Sequence, residues 1–201
     1  MILIGILIDG CPRGNKKTLH EDERSTVKKN NSISAKFEYI TDDTVFRQTD
    51  AGGVEIKFNE WFISDGTENF VKDFVIGGRK FKSGLGIDGL TSEGSDTRDF
   101  AFVTYKVLKG KYSEVSGILG FDDHTRVKAD SKMIVYANGK KIFESPKIDS
   151  QTPSVDVKFS IPQDTNNITF RFETNVIDNN IPKIVFADAK AKRAETNYTA
   201  H

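Results

Sequence analysis

Residues 100–108 read FAFVTYKVL, residues 115–121 read VSGILGF and residues 133–143 read MIVYANGKKIF, and these three runs decide the fold. Each run is rich in β-branched and aromatic residues, and Gly, Asn or Asp separates it from its neighbours, which is typical of short antiparallel strands. The Asn138-Gly139 pair predicts a two-residue hairpin, because a type I′ turn needs positive φ at both central positions.

Further runs of the same kind extend the strand pattern to both sides. They predict further strands at residues 33–39, 54–63, 155–161, 168–173 and 184–189. In the first strand the alternation predicts that Phe37 and Tyr39 face the core and that Glu38 faces solvent. The apolar residues of 70–76 are spaced so that one helical turn would fit before Gly77. With about ten strands at regular intervals, the sequence predicts an all-β fold, an antiparallel β-sandwich of the jelly-roll type.

Composition favours one folded domain without a nucleic-acid partner. The 201 residues are enough to bury a sizeable core. The 29 basic residues balance the 29 acidic ones, so the chain has no overall positive field for nucleic acid. The single cysteine excludes an internal disulfide. No apolar run approaches the roughly 20 residues of a membrane-spanning helix.

The N-terminal segment differs from the rest of the chain. An apolar run at residues 1–8 precedes Cys11, and a polar linker follows it. The run with its cysteine is similar to the lipobox of bacterial lipoproteins, which predicts a lipid on Cys11 as the one membrane contact of a secreted or cell-surface protein. No basic segment precedes the run and Asp9 lies inside the motif, so a short buried strand or an unstructured end stays open as the alternative. We divide the chain into an N-terminal segment at 1–33, a sandwich domain at 34–193 and a tail at 194–201.

Four segments within residues 61–193 resemble one family of bacterial modules. They are IGGRKFKSGLG at 76–86, YKVLKGKY at 105–112 with GFDD at 120–123, residues 133–145 around the Asn-Gly turn, and FADA at 186–189. Their order and spacing are similar to the NPCBM carbohydrate-binding modules, also classed as family 51 carbohydrate-binding modules. The resemblance implies a galactose-binding-like jelly roll of the kind appended to secreted bacterial glycoside hydrolases.

The chain departs from the family pattern at two places. Asp88-Gly89 stands where the family commonly has His-Ala, and Phe186 stands where its closing segment has Trp. If these positions shape the sugar site, its affinity or specificity is altered or lost. The matching glycines and aliphatic residues, by contrast, mainly determine the fold.

Sugar sites combine planar polar groups with an aromatic face. On this basis we predict ligand-binding residues in the loops and at the only tryptophan, namely Trp61, Asp88, Asp122, Asp123, His124, Arg126 and Asn175. Two alternatives stay open. Trp61 is flanked by apolar residues, and a place in the core explains it better than sugar stacking does. The Asp122–His124 group is explained by turn chemistry or by a structural calcium ion.

The sequence contains no motif for catalysis. Its three histidines are scattered, and it has neither a Gly-x-Ser-x-Gly elbow nor a His-Glu-x-x-His pair. We therefore predict a non-catalytic module, without a cofactor, that recognises glycans of the galactose or N-acetylhexosamine type. The alternative is a structural or protein-interaction domain of a surface or phage-related protein that has lost the sugar site.

Overall fold

The computed structural model describes residues 36–42, 46–52, 54–64, 69–90, 99–125, 129–176 and 182–195. The chain divides into two units, Met1–Ile33 and Ser34–His201, and all described residues belong to the second. The predictions for Cys11 and for the first 33 residues lie outside the described residues.

The described residues form strands and turns. In chain order the strands are β1 (Phe37–Tyr39), β2 (Arg47–Gly52), β3 (Glu55–Phe58), β4 (Glu60–Ser64), β5 (Asn69–Ile76), β6 (Arg79–Phe81), β7 (Gly84–Asp88), β8 (Phe100–Lys106), β9 (Tyr112–Phe121), β10 (Ala129–Ala137), β11 (Lys140–Glu144), β12 (Ser154–Ser160), β13 (Asn167–Val176) and β14 (Ile184–Arg193). Within these ranges no helix is long and apolar enough to cross a membrane. Residues 70–76, where one helical turn was allowed, belong to strand β5.

The strands build three antiparallel sheets. The six-stranded sheet has the order β12-β9-β14-β7-β3, with β1 also paired to β14, and the five-stranded sheet has the order β11-β10-β13-β8-β2. The third sheet is β4-β5-β6. The predicted all-β antiparallel sandwich is confirmed, with fourteen strands among the described residues where about ten were expected.

Two hydrophobic clusters lie on opposite faces of the six-stranded sheet. The larger cluster fills the space between the two large sheets, where the rings of Phe170 and Phe186 lie 5.9 Å apart. The smaller one joins Trp61, Phe74 and Phe81 of the three-stranded sheet to Val185 and Ala187 of β14. Alternate residues of β14 therefore serve two cores, as the period of two in a strand requires.

The predicted orientation of β1 is wrong. Phe37 and Tyr39 are 47% and 42% exposed, whereas the Glu38 side chain is only 8% exposed. Glu38 accepts hydrogen bonds from the Tyr112 hydroxyl and from Arg193, which fix the inward face of the strand. Alternation identifies the residues that share a face, but these tertiary partners decide which face is covered.

The predicted hairpin is confirmed. Asn138 and Gly139 have φ values of 50° and 80° and connect β10 to β11. The Asn138 amide oxygen also accepts hydrogen bonds from the backbone N–H groups of Asn166 and Asn167, at 2.8 and 3.1 Å. The hairpin residue thus ties its turn to the start of β13.

Candidate functional site

Several predicted site residues meet where three interior strands of the six-stranded sheet end or begin, along one border of that sheet. Asp88 is the last residue of β7, Asp122 follows β9, and Lys183 precedes β14. Strands β7 and β9 both pair with β14, so these three positions lie side by side. We call the group formed by Trp61, Asp88, Asp122, His124 and Lys183 the edge cluster.

Asp122 is the buried centre of the edge cluster. Its carboxylate is fully buried and accepts hydrogen bonds from Trp61 Nε1 at 2.8 Å and from the Val75 backbone N–H at 2.9 Å. The other oxygen accepts from the His124 backbone N–H at 2.9 Å and lies 2.5 Å from His124 Nδ1. A buried carboxylate is retained where its oxygens have donors, and this one has three N–H donors in addition to its contact with the His124 ring. Asp122 is therefore a structural acceptor and not an exposed ligand group.

Trp61 lies in the core, as the alternative for this residue anticipated. It is 1% exposed, and its ring meets Phe74 edge to face at 4.9 Å. The Lys183 ammonium lies 4.6 Å from the centroid of the Trp61 ring, in a cation–π arrangement. No ring face is left on which a sugar could stack.

Lys183 links Trp61 to Asp88. Its ammonium donates a hydrogen bond to Asp88 Oδ2, and the two side chains are 20% and 31% exposed. The pair is thus fixed in position and still accessible from solvent. Lys183 was missed by sequence reasoning, because one lysine before a strand carries no signal of its own.

Asp123 serves the turn between β5 and β6. Its carboxylate accepts hydrogen bonds from the backbone N–H groups of Gly77 and Gly78, at 2.8 and 2.6 Å. Both glycines have positive φ, at 58° and 78°. The turn-chemistry alternative accounts for this aspartate.

Among the edge-cluster residues that the sequence predicted, His124 has the most exposed side chain. Its side chain is 33% exposed and borders a cavity of about 320 Å³ that Lys72, Asp73 and Lys80 also line. Asp122 holds the ring at Nδ1, which leaves Nε2 as the second polar atom of the imidazole.

The remaining predicted residues lie elsewhere. Asn175 is exposed near the end of β13 in the five-stranded sheet, opposite Asp130, so it is not brought together with Asp122. Arg126 lies outside the described residues. Within the described ranges no group of three or more His, Cys, Asp or Glu side chains could hold a metal ion.

Asn175 borders a larger concavity of about 520 Å³ on the five-stranded sheet, which we call the sheet groove. Its lining includes Asp130, Lys132, Glu144, Arg171, Glu173 and Asn175. Hydrogen bonds from Lys132 and Lys141 lower the pKa of Glu144 to about 2, and the same contact with Glu144 raises the pKa of Lys132. These groups are therefore charged and paired at neutral pH.

Comparison with known proteins gives one family and a set of similar folds. A family model described as the NPCBM/NEW2 domain matches residues 28–192. No curated protein matches the sequence.

Among solved structures, the tandem CBM51 modules of the family 98 glycoside hydrolase Sp3GH98 from Streptococcus pneumoniae are similar at a TM-score of 0.59 and 14% identity, covering 83% of this chain and 50% of that one. The CBM51 module of Clostridium perfringens GH95 in complex with methyl-galactose gives 0.50 and 16%, covering 78% of this chain and 99% of that one.

A structure of CBM51-2 and INT domains from Clostridium perfringens ZmpB, in complex with GlcNAc, gives a TM-score of 0.50 and 17% identity over 80% of this chain. The present chain spans 32% of that chain's length. At these identities the likeness concerns the fold, and it agrees with the predicted antiparallel β-sandwich.

Proposed function

This chain belongs to the NPCBM/NEW2 domain family, and from that premise we propose that it is a non-catalytic module that binds carbohydrate. The observation that carries the proposal is the family match across residues 28–192, which takes in both large sheets. Similar modules have been solved with methyl-galactose and with GlcNAc, which supports a ligand of the galactose or N-acetylhexosamine type.

We place the sugar contacts on the exposed part of the edge cluster. Asp88 accepts hydrogen bonds, Lys183 donates them, and His124 offers an imidazole nitrogen, which together match the mixed donors and acceptors of a sugar. The buried pair of Trp61 and Asp122 holds Lys183 and His124 in place from below. Such a support reduces the entropy that binding must overcome.

In the proposed site, the Asp88–Lys183 pair would take over the contacts made by the family's His-Ala. Asp88 supplies an acceptor, and Lys183 supplies the positive donor beside it. A hydroxyl that bridges the two would donate to the carboxylate and accept from the ammonium. Replacing His-Ala by Asp-Gly with Lys183 would change which sugar is preferred, while polar contacts to the sugar are kept at the same position.

The test is a glycan array on the full chain, followed by calorimetry with methyl galactoside and N-acetylglucosamine. Lys183→Ala should weaken binding about tenfold or more, since a hydrogen bond to a charged group contributes roughly 1.5–3 kcal/mol. Lys190→Ala is the matched control, because Lys190 likewise pairs with an aspartate, Asp188 at 2.8 Å, and lies 5.2 Å from the Tyr39 ring centroid. It should leave the affinity unchanged.

A flat array from folded protein would refute carbohydrate binding and leave the alternative, a structural or protein-interaction sandwich. Equal losses for Lys183→Ala and Lys190→Ala would refute the edge cluster as the site. The same titration with a chelator tests calcium. Loss of binding on chelation would establish a metal role that the described residues do not by themselves provide.

We also propose that this chain, like such modules, is located outside the cell or on its surface. The lipid anchor at Cys11 is tested by labelling a bacterial host with a radioactive fatty acid. Label on the wild type but not on Cys11→Ser would support the anchor, and an unlabelled wild type would refute it.

A further inference from the structure

The sheet groove is separate from the edge cluster. It lies on the five-stranded sheet, whereas the edge cluster lies at the six-stranded sheet. Lys132, Arg171 and Glu173 alternate with the core residues of β10 and β13, so their side chains stand on the outer face. A volume of about 520 Å³ falls within the range of roughly 300–1,000 Å³ that is typical of ligand sites.

The sheet groove carries charges of both signs, with four acidic residues, Asp99, Asp130, Glu144 and Glu173, and three basic ones, Lys132, Lys147 and Arg171. Lys132 lies 2.8 Å from Glu144 and 3.6 Å from Glu173, and Lys147 lies 3.0 Å from Asp130. An anionic ligand would meet these carboxylates, and a cationic ligand would meet the ammonium groups. The lining therefore favours an uncharged ligand with many hydrogen-bonding groups.

Arg171 provides a fixed planar donor at the groove. Its Nε donates to Glu173 at 2.8 Å, and its guanidinium carbon lies 4.2 Å from the centroid of the Phe100 ring. The ring of Phe102 lies nearly parallel to that of Phe100, 6.5 Å away. These contacts hold the guanidinium plane, and the two Nη groups donate no hydrogen bond to another described residue. A planar fork of this kind can donate to two neighbouring hydroxyls.

The strands that carry the groove are joined by hydrogen bonds on their core side. The Ser131 and Thr174 hydroxyls are buried and lie 2.8 Å apart, and Ser145 Oγ accepts a hydrogen bond from the Met133 backbone N–H at 3.0 Å. Because these polar atoms are bonded within the protein, the groove keeps its shape without a ligand. A ligand then needs little reorganisation of the protein.

From these features we infer that the sheet groove is a second carbohydrate-binding site, which holds a linear chain of neutral sugar units across the five-stranded sheet. This inference rests on the proposed function for one point only, which is that the ligand is a carbohydrate. The Arg171 guanidinium donates hydrogen bonds to adjacent sugar hydroxyls. The carboxylates of Glu144 and Glu173 accept hydrogen bonds from the remaining sugar hydroxyls.

The test is an amide chemical-shift titration of the isotopically labelled full chain with a neutral tetrasaccharide of alternating galactose and N-acetylglucosamine. Signals of Lys132, Arg171 and Glu173 should shift in a saturable manner in the millimolar range. Arg171→Ala should raise the dissociation constant of these signals about tenfold. Arg171→Lys keeps the charge and the pairing with Glu173 but removes the planar fork, so it should also weaken binding.

Arg79→Ala is the matched control, because the Arg79 guanidinium lies 4.7 Å from the Phe81 ring centroid, outside the groove. It should leave the groove signals unchanged. Shifts at the groove and at the edge cluster would support both sites, and shifts at the groove alone would support the groove and refute the edge cluster. Shifts at the edge cluster alone would overturn the groove and leave the proposed function intact. A silent titration would overturn the groove, and the glycan array then decides the proposed function independently.

Discussion

Trp61 and Asp122 are 61 positions apart in the sequence and are joined by a buried hydrogen bond of 2.8 Å between Nε1 and Oδ2. The bond connects the three-stranded sheet to the loop after β9. Since the same carboxyl group also holds Val75 and His124, one buried side chain fixes three segments around the proposed sugar site. If the proposed site binds sugar, Asp122 should affect both stability and ligand binding.

Asp122→Asn should lower the free energy of unfolding by about 2–4 kcal/mol, because an amide nitrogen would face N–H donors in place of an acceptor. Urea unfolding at neutral pH measures the change. Asp156→Asn, at an exposed position of β12, is the control and should change stability by less than about 0.5 kcal/mol. Similar small effects for both variants would contradict the central role of Asp122.

Gly86→Ala should destabilise the smaller core by about 1–3 kcal/mol. A Cβ at this position would lie 2.7 Å from the Phe74 ring and 2.8 Å from the Trp61 ring, so one ring must move. Thermal unfolding measures the loss, and a shift of the tryptophan emission reports the displaced ring. Ser160→Ala, at an exposed strand position, should change neither signal. An unchanged melting temperature for Gly86→Ala would contradict the close packing.

Glu38→Gln should destabilise the protein at neutral pH by about 1–3 kcal/mol. Burial acts to raise the pKa of Glu38, but hydrogen bonds from Tyr112, Arg193 and Lys111 outweigh it and hold the pKa below its ordinary value of 4.5. A lowered folded-state pKa stabilises the protein above the unfolded-state pKa, and this contribution is lost as the pH falls through the folded-state value.

The difference in unfolding free energy between wild type and Glu38→Gln should therefore shrink as the pH falls from 4.5 downward. Urea unfolding across that range measures it. Glu114→Gln is the control, since Glu114 forms an ion pair with Lys158 whose side chain is 69% exposed. A difference for Glu38→Gln that does not depend on pH would rule out the ionised carboxylate as the cause.

Asn138→Ala should cost about 1–2 kcal/mol, because it loses both the side-chain hydrogen bonds and the tolerance of Asn for positive φ. Asn138→Gly keeps the φ of 50° accessible and loses only the bonds to Asn166, Asn167 and Asp164, so it should cost less. Urea unfolding of the two variants separates the effects. A larger loss for Asn138→Gly than for Asn138→Ala would contradict this account.

The sequence by itself determined the sandwich, the Asn138-Gly139 hairpin and the family, because strand periodicity, turn residues and motif order are local properties. It also brought Asp88, Asp122 and His124 forward as candidates. Only the tertiary structure decided that Trp61 and Asp122 are buried partners, that Lys183 joins the edge cluster and that Asn175 belongs to a different surface. The reason is physical. Burial and pairing depend on which strands lie side by side, and residues far apart in sequence, such as Asp88 and Lys183, become neighbours only through the sheet register.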